Sequence, residues 1–472
     1  MMSGLSGEGV SRGEEDQLLK KLEKLTTECG REESCRFNLD PQIFLEVDIV
    51  LTKHVANDET CIVEDAFPIV TQILRFLRNA VAACKPNQDF IREKTDIILT
   101  SNKVLDQMTD LIKTAGDSTR FENYLVVARC TLQFLMNFMV NNLDNVDTLI
   151  SLSTVTSISQ LFTTTQDEKI IEYAAMNFHT FLKQKPDIEL DIAIIPVILG
   201  NTHLEFMQYG ANEELSSKMG EIGQVVDQWG SYRMYVIETL ATNDQFLRRI
   251  YPGLSVELRV KFIRVIVAHT ELHDKLPPEI TTFFSDEFKQ KSDLILKSQL
   301  QNDDWMAWEI ASLLELLCCL SALDQSILKA DVSLLTTVIF LLKSVHSVSK
   351  ADPGSTSKET LDFSSVTNID AMTGSEEMRD QPTFQFKAHL IRLTANLIYR
   401  NFANQEMVRE MEVLPVILDS CNIDARNPFI TQWAVLAIRN ACEGNTANQE
   451  LVRSVQQIDT KDKLSKVQLV GL

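Results

Sequence analysis

An all-α fold of stacked helical repeats is predicted for this 472-residue chain by three observations. One signature occurs three times: an Asn, seven spacers, then Asn-Gln, an acid, two apolar residues and Arg. It reads Asn79 to Asn87-Gln88-Asp89-Phe90-Ile91-Arg92, Asn396 to Asn404-Gln405-Glu406-Met407-Val408-Arg409, and Asn440 to Asn448-Gln449-Glu450-Leu451-Val452-Arg453. Asn396 and Asn440 lie 44 residues apart, inside the roughly 40 to 47 residues of armadillo and HEAT units. Apolar residues also recur at helical spacing, as Leu18, Leu19, Leu22 and Leu25 do on one face of the first segment. Together these predict an armadillo/HEAT-type α-solenoid, a right-handed superhelix in which each unit buries its apolar side on its neighbours.

Residues 1–15 are rich in Gly and Ser, offer little apolar surface to offset ordering entropy, and are expected to be disordered. An amphipathic cap helix follows from Gln17, and residues 16–345 are read as N-terminal and central repeats. Asn137, with Asn145 eight residues on, and Asn177, 40 residues further, mark degenerate copies. The longer step of 58 residues from Asn79 to Asn137 implies an insertion, expected in a loop. Pro68 and Pro428 stand 11 and 12 residues before Asn79 and Asn440, which places each Asn near the end of a helix of about three turns opened by proline. Pro196 and Pro415 open a second class of helix.

Residues 200–345 show the signature poorly. Trp305, Trp308, Leu313, Leu316, Leu317 and Leu320, then an apolar run through Val332 to Val345, predict divergent repeats there. Residues 346–384 shift to Ser, Thr, Asp and Gly and are expected to be a disordered insertion. Helical periodicity resumes in residues 385–458, the C-terminal repeats, and residues 459–472 form a tail expected to fray.

Composition narrows the function. A formal net charge of −21 with pI ≈ 4.8 argues against a nucleic-acid partner, which a Lys/Arg stripe would have to hold. Nine scattered cysteines without a C-x-x-C pair read as core thiols in a reducing compartment, and with no N-glycosylation sequon and no basic-then-apolar leader, secretion is not expected. The runs Leu313–Leu323 and Leu334–Leu342 fall short of the ~20 residues that cross a bilayer, so no membrane span is expected.

His269 and His273 share a helical face, but Glu271 sits in the wrong place to serve metal-bound water, so no metal site is expected. No cofactor loop, nucleophile elbow or kinase motif occurs, and no enzyme is expected.

The densest pattern is Phe386-Lys387-Ala388-His389-Leu390-Ile391-Arg392-Leu393, then Asn404-Gln405, Leu414-Pro415-Val416-Ile417-Leu418, Asn427-Pro428-Phe429, Gln432-Trp433 and Ile438-Arg439-Asn440. This stretch resembles the C-terminal homology region of the ataxin-10 family, and Phe76-Leu77-Arg78-Asn79 with Asn87-Gln88 resembles its N-terminal repeats more thinly. The resemblance implies a non-enzymatic cytoplasmic armadillo scaffold. It also implies perinuclear, midbody or centrosomal association, roles in cytokinesis and cell division, neurite outgrowth and neuronal survival, and signalling partners.

The candidate site residues are Asn79, Asn137, Asn177, Asn396 and Asn440, with Trp433 seven residues before Asn440. An Asn late in a repeat's third helix projects, in one reading, into a concave groove and pairs with the backbone of an extended peptide; in the other it ties a neighbouring helix end. The partners expected are segments of other proteins, with self-association open. A nuclear-transport cargo adaptor is the alternative. It would need Trp one turn before each Asn, where Arg75, Gln133, Tyr173, Arg392 and Leu436 stand.

Overall fold

The computed structural model describes residues 12–55, 62, 64–114, 120–188, 190–191, 193–200, 231–272, 276–297, 305–323, 325–350, 361–366, 376–422 and 424–454. Among these no strand occurs, and the fold is the all-α solenoid expected. The described residues up to Thr239 form one unit and those from Leu240 a second.

In the first unit, α1 (Arg12–Arg31) caps repeats built from a short first helix, a second helix and a third. These are α2 (Glu33–Phe37), α3 (Gln42–Val55) and α4 (Phe67–Ala80); α5 (Lys85–Lys94), α6 (Ile97–Thr114) and α7 (Phe121–Met139); and α8 (Leu143–Ser151), α9 (Thr154–Thr164) and α10 (Glu168–Gln184). α11 (Ile194–Gly200) and α12 (Ser231–Thr242) follow. Helices of one class stack: α1, α4, α7 and α10 pack in succession, as do α3, α6, α9 and α11. Between the layers Phe44, Phe76, Phe134, Phe138, Phe162 and Phe178 are fully buried, each contributing about 1.5–3 kcal/mol of apolar transfer.

The second unit contains α13 (Asp244–Ile250), α14 (Val256–Leu272), α15 (Pro278–Lys291), α16 (Trp305–Leu323), α17 (Gln325–Ala330), α18 (Val332–Lys350) and α19 (Glu376–Arg379). It continues through α20 (Phe386–Ile398), α21 (Phe402–Glu410), α22 (Leu414–Asp419), α23 (Ile430–Cys442) and α24 (446–454). α14, α16, α20 and α23 form its stack of third helices.

Four expectations change. The first helix begins at Arg12, inside the stretch expected to be disordered, because Glu15 is buried against Lys53 Nζ at 2.6 Å and His54 Nε2 at 3.3 Å. The extra length between Asn79 and Asn137 goes partly into helix: α6 has 18 residues where α9 has 11. α16 and α18 are 19 residues each, long and apolar enough to cross a membrane by length and composition. That exceeds the apolar runs seen in sequence. Here α16 packs between α14 and α20.

Finally, within 346–384 the described residues are engaged with the fold: 346–350 complete α18, Leu361 and Phe363 are buried, and Thr383 is buried beside Arg426. Hydrogen bonding, invisible to hydrophobic periodicity, holds much of this stretch. Residues 1–11, 455–472 and His273 lie outside the described residues.

Candidate protein-binding surface

The recurrent signature is a hydrogen-bond cassette at the end of each third helix. Four residues after its Asn, the chain enters the left-handed region at Ala83 (φ 52°), Asn141 (φ 57°), Arg400 (φ 52°) and Gly444 (φ 71°). That turn brings the second Asn back over the helix end. Asn87, Asn145, Asn404 and Asn448 each donate from Nδ2 to the carbonyl seven residues earlier, at 2.9, 2.8, 2.9 and 2.8 Å. Those carbonyls belong to the last helical turn, where no intrahelical donor exists.

The other donors of the cassette join repeats. Asn87 also reaches Arg36 O at 2.8 Å, Asn404 reaches Lys329 O at 3.0 Å and Asn448 reaches Gln405 O at 3.0 Å, each in the preceding repeat. The adjacent glutamines reach forward: Gln88 Nε2 donates to Asn137 O at 2.8 Å and Gln405 Nε2 to Asn440 O at 2.9 Å. The signature acid accepts from the next repeat, Asp89 from Asn142 at 2.9 Å and Glu406 from Asn445 at 2.8 Å. Its Arg closes the set, Arg92 on Asp89 and Arg409 on Glu406.

The predicted site asparagines serve the same framework. In the first unit, Asn79 Nδ2 donates to Thr26 O at 2.9 Å, Asn137 to Arg78 O at 2.9 Å, and fully buried Asn177 to Leu132 O at 3.1 Å. In the second, Asn396 donates to Ser321 Oγ at 2.9 Å and buried Asn440 to Ala395 O at 2.9 Å. Each therefore ties its helix to the third helix before it. Asn79, Asn137 and Asn396 are half-buried.

Trp433 is half-buried, with the Arg392 guanidinium 4.9 Å from its ring centroid. The same pairing recurs between α14 and α16, where Arg264 lies 4.7 Å from the Trp308 ring. Each pair spans one repeat, 41 residues for Arg392 to Trp433 and 44 for Arg264 to Trp308. That spacing was the available signal for Arg264 and Trp308, while Arg392 stood in view one turn before Asn396 without its role being apparent. Stacking an Arg on Trp is worth about 0.5–2 kcal/mol and leaves guanidinium N–H groups directed outward.

A cavity of about 70 Å³ lies beside the Arg264–Trp308 pair, walled also by Glu315, Arg379, Pro382 and His389. Burial pushes the His389 imidazole down to about 3, with Arg392 adding to the effect, so it is neutral there. Burial also lowers the Arg264 pKa against the attraction of Glu315. Among the described residues no cluster of His, Cys, Asp and Glu has metal-binding geometry.

Comparison with known proteins places the chain. Residues 386–471 match the family described as "Spinocerebellar ataxia type 10 protein domain". Ataxin-10 of Macaca fascicularis is 29% identical over 413 residues, spanning 82% of this chain and 76% of that protein. The ataxin-10 homolog of Dictyostelium discoideum is 43% identical over 86 residues, 18% of this chain and 14% of its own. A solved structure from work on the interaction between cadherin and beta-catenin is 12% identical, covering 93% of this chain and 84% of that one at a TM-score of 0.31. So distant a likeness adds nothing to the fold described above. Helical-repeat architecture and the curated relatives support a protein-interaction scaffold, and the chain is similar to ataxin-10 proteins over most of its length.

Proposed function

We propose that this chain is a non-catalytic scaffold that binds a segment of another protein along the third-helix face of its C-terminal unit. The observation that carries this reading is the pair of half-buried Arg–Trp stacks, Arg264 on Trp308 and Arg392 on Trp433. Amphipathic rings and planar cations are the groups that dominate binding energy at protein interfaces. The half-buried Asn396 belongs to the proposed surface, with buried Asn440 as the tie that fixes its backbone; Asn79, Asn137 and Asn177 hold the corresponding ties of the first unit. Kinship with ataxin-10 supports a place in cytokinesis, neurite outgrowth and neuronal survival signalling, in the cytoplasm, with self-association as one mode of assembly.

Proximity labelling in cells tests it, comparing the full chain with an Arg392→Ala, Trp433→Ala variant. A subset of labelled proteins disappears while the melting temperature falls by only a few degrees, as expected for loss of about 1–2 kcal/mol. An unchanged set of labelled proteins would show that the surface lies elsewhere.

A further inference from the structure

The residues 361–366, Leu361-Asp362-Phe363-Ser364-Ser365-Val366, run extended over the loop that precedes α23. Their contacts follow the pattern by which peptides bind receptors: the segment's main chain is hydrogen-bonded, once to main chain and twice to side chains, with alternate side chains inserted. Val366 N–H donates to Asp424 Oδ1 at 2.9 Å, and Val366 O accepts from Ala425 N–H at 2.8 Å. Ser364 O accepts from Arg426 Nε at 2.9 Å. Leu361 and Phe363 point inward, 5% and 6% exposed, with Phe363 6.0 Å from the Phe386 ring centroid. Asp362, between them, receives Arg426 Nη2 at 2.5 Å.

Arg426 is the centre of the arrangement. It is 4% exposed, and only one of its outer nitrogens is held by the rest of the fold, Nη1 on Gln381 Oε1 and Thr383 Oγ1, both at 3.0 Å. Nε and Nη2 are satisfied by the segment alone among the bonds described. A buried guanidinium stripped of those acceptors is strongly unfavourable, so the site demands an acid presented on an extended chain. The receptor side is itself braced without the segment: Asp424 accepts from Asn427 Nδ2 at 2.8 Å and from Arg426 N–H at 3.1 Å, and Gln385 N–H donates to Arg426 O at 2.9 Å.

We infer that the Arg426 site is a peptide-recognition site for an extended apolar–acid–aromatic segment of another protein, and that residues 361–366 fill it in cis as a built-in competitor. Tethering gives the internal segment an effective concentration on the order of millimolar, so the site answers only to a partner able to outcompete it or to loss of the internal anchor. Gln381 and Gln385, which brace Arg426, also line the cavity beside Arg264 and Trp308, but the inference rests on the contacts of the segment and not on the Arg–Trp stacks.

The test uses the full chain carrying Asp362→Ala and Phe363→Ala, and a fluorescein-labelled peptide of Leu361–Val366 with two native residues on each side. Fluorescence anisotropy should show the variant binding the peptide at least about tenfold more tightly than the unsubstituted chain. An Asp→Ala version of the peptide should bind neither. Should the double variant lose its helical circular dichroism, Phe363→Ala alone, which keeps the carboxylate on Arg426, decides, and it too must bind the peptide better than the unsubstituted chain. Equal binding by variant and unsubstituted chain, or binding indifferent to the peptide's Asp, overturns the proposal and leaves the segment a fixed brace.

Discussion

The repeats of the first unit and the central repeats of the second achieve the same junction with different chemistry. Between α4 and α10 most ties are carboxamides, Gln88 on Asn137 O, Asn137 on Arg78 O, Gln184 on Met139 O, with one ion pair, Arg129 on Asp167, between α7 and α10. Between α14 and α18 they are charges. Glu309, 1% exposed, takes Lys291 Nζ at 2.6 Å, Tyr251 Oη at 2.8 Å and an ion pair with Arg259 Nε at 2.9 Å. Asp331 likewise takes Lys289 Nζ at 2.8 Å and Ser285 Oγ at 2.9 Å.

Both devices reach across one repeat, so stacking constrains where a tie must sit and leaves its chemistry open. A carboxamide is satisfied by single carbonyls and recurs as a motif, whereas a buried carboxylate needs several donors drawn from different helices. The ionic junctions therefore carry no compact signature.

Breaking the ionic junction should have the largest effect. Glu309→Ala leaves Arg259 without its buried counter-charge, while Lys291 keeps Glu287 at 2.6 Å, and is expected to destabilise the protein by about 3–5 kcal/mol, read from chemical denaturation.

Acid sharpens the contrast next. Burial, with Lys387 and Lys350 beside it and Asp419 opposing, pushes His346 down to about 4, and burial takes His389 to about 3. Their folded forms bind fewer protons than the unfolded chain. Stability is therefore full above about pH 6.5 and is lost as pH falls toward 4 and then 3. Asp331 adds a second loss. Against the penalty of burial, hydrogen bonds led by that from Lys289 bring its pKa to about 2, so its contribution is present above pH 3.8 and disappears as pH falls toward 2. Hydrogen exchange should show protection falling first in α18 and α20, before the carboxamide-tied α4 and α7.

Cutting a neutral tie should cost less. Gln88→Ala and Gln405→Ala each leave a buried carbonyl without its donor, and each is expected to lower stability by about 1–3 kcal/mol. Stability unchanged in both would remove the structural reading of the signature. Smallest is Gly444→Ala: a Cβ there meets nothing within 4 Å, so only the left-handed φ of 71° is strained. A loss of about 1 kcal/mol is expected, seen as a slightly lower melting temperature.

Much of the solenoid was legible because its repeat is written in residues with one local job. Asn87, Asn404 and Asn448, each eight residues after a signature Asn, cap the helix that carries that Asn, and Pro68 and Pro415 open helices where a lost N–H matters least. The left-handed turn was half hidden: Gly444 signals it, but Ala83 and Arg400 adopt the same backbone without the residue that advertises it. The candidate surface was less legible. Arg392 and Arg264 look like ordinary solvated charges until the next repeat places a Trp beneath each.

The sequence by itself determined the helical periods, the repeat length and the positions of the ties, since each depends on a few residues along one segment. Only the tertiary structure decided what the ties hold, that Glu309 and Arg426 are buried, and that six residues of a Ser/Thr-rich stretch lie down on a loop some sixty residues away. A hydrogen bond is specified by direction and distance between its two atoms, and for groups from distant segments neither exists until the chain has folded.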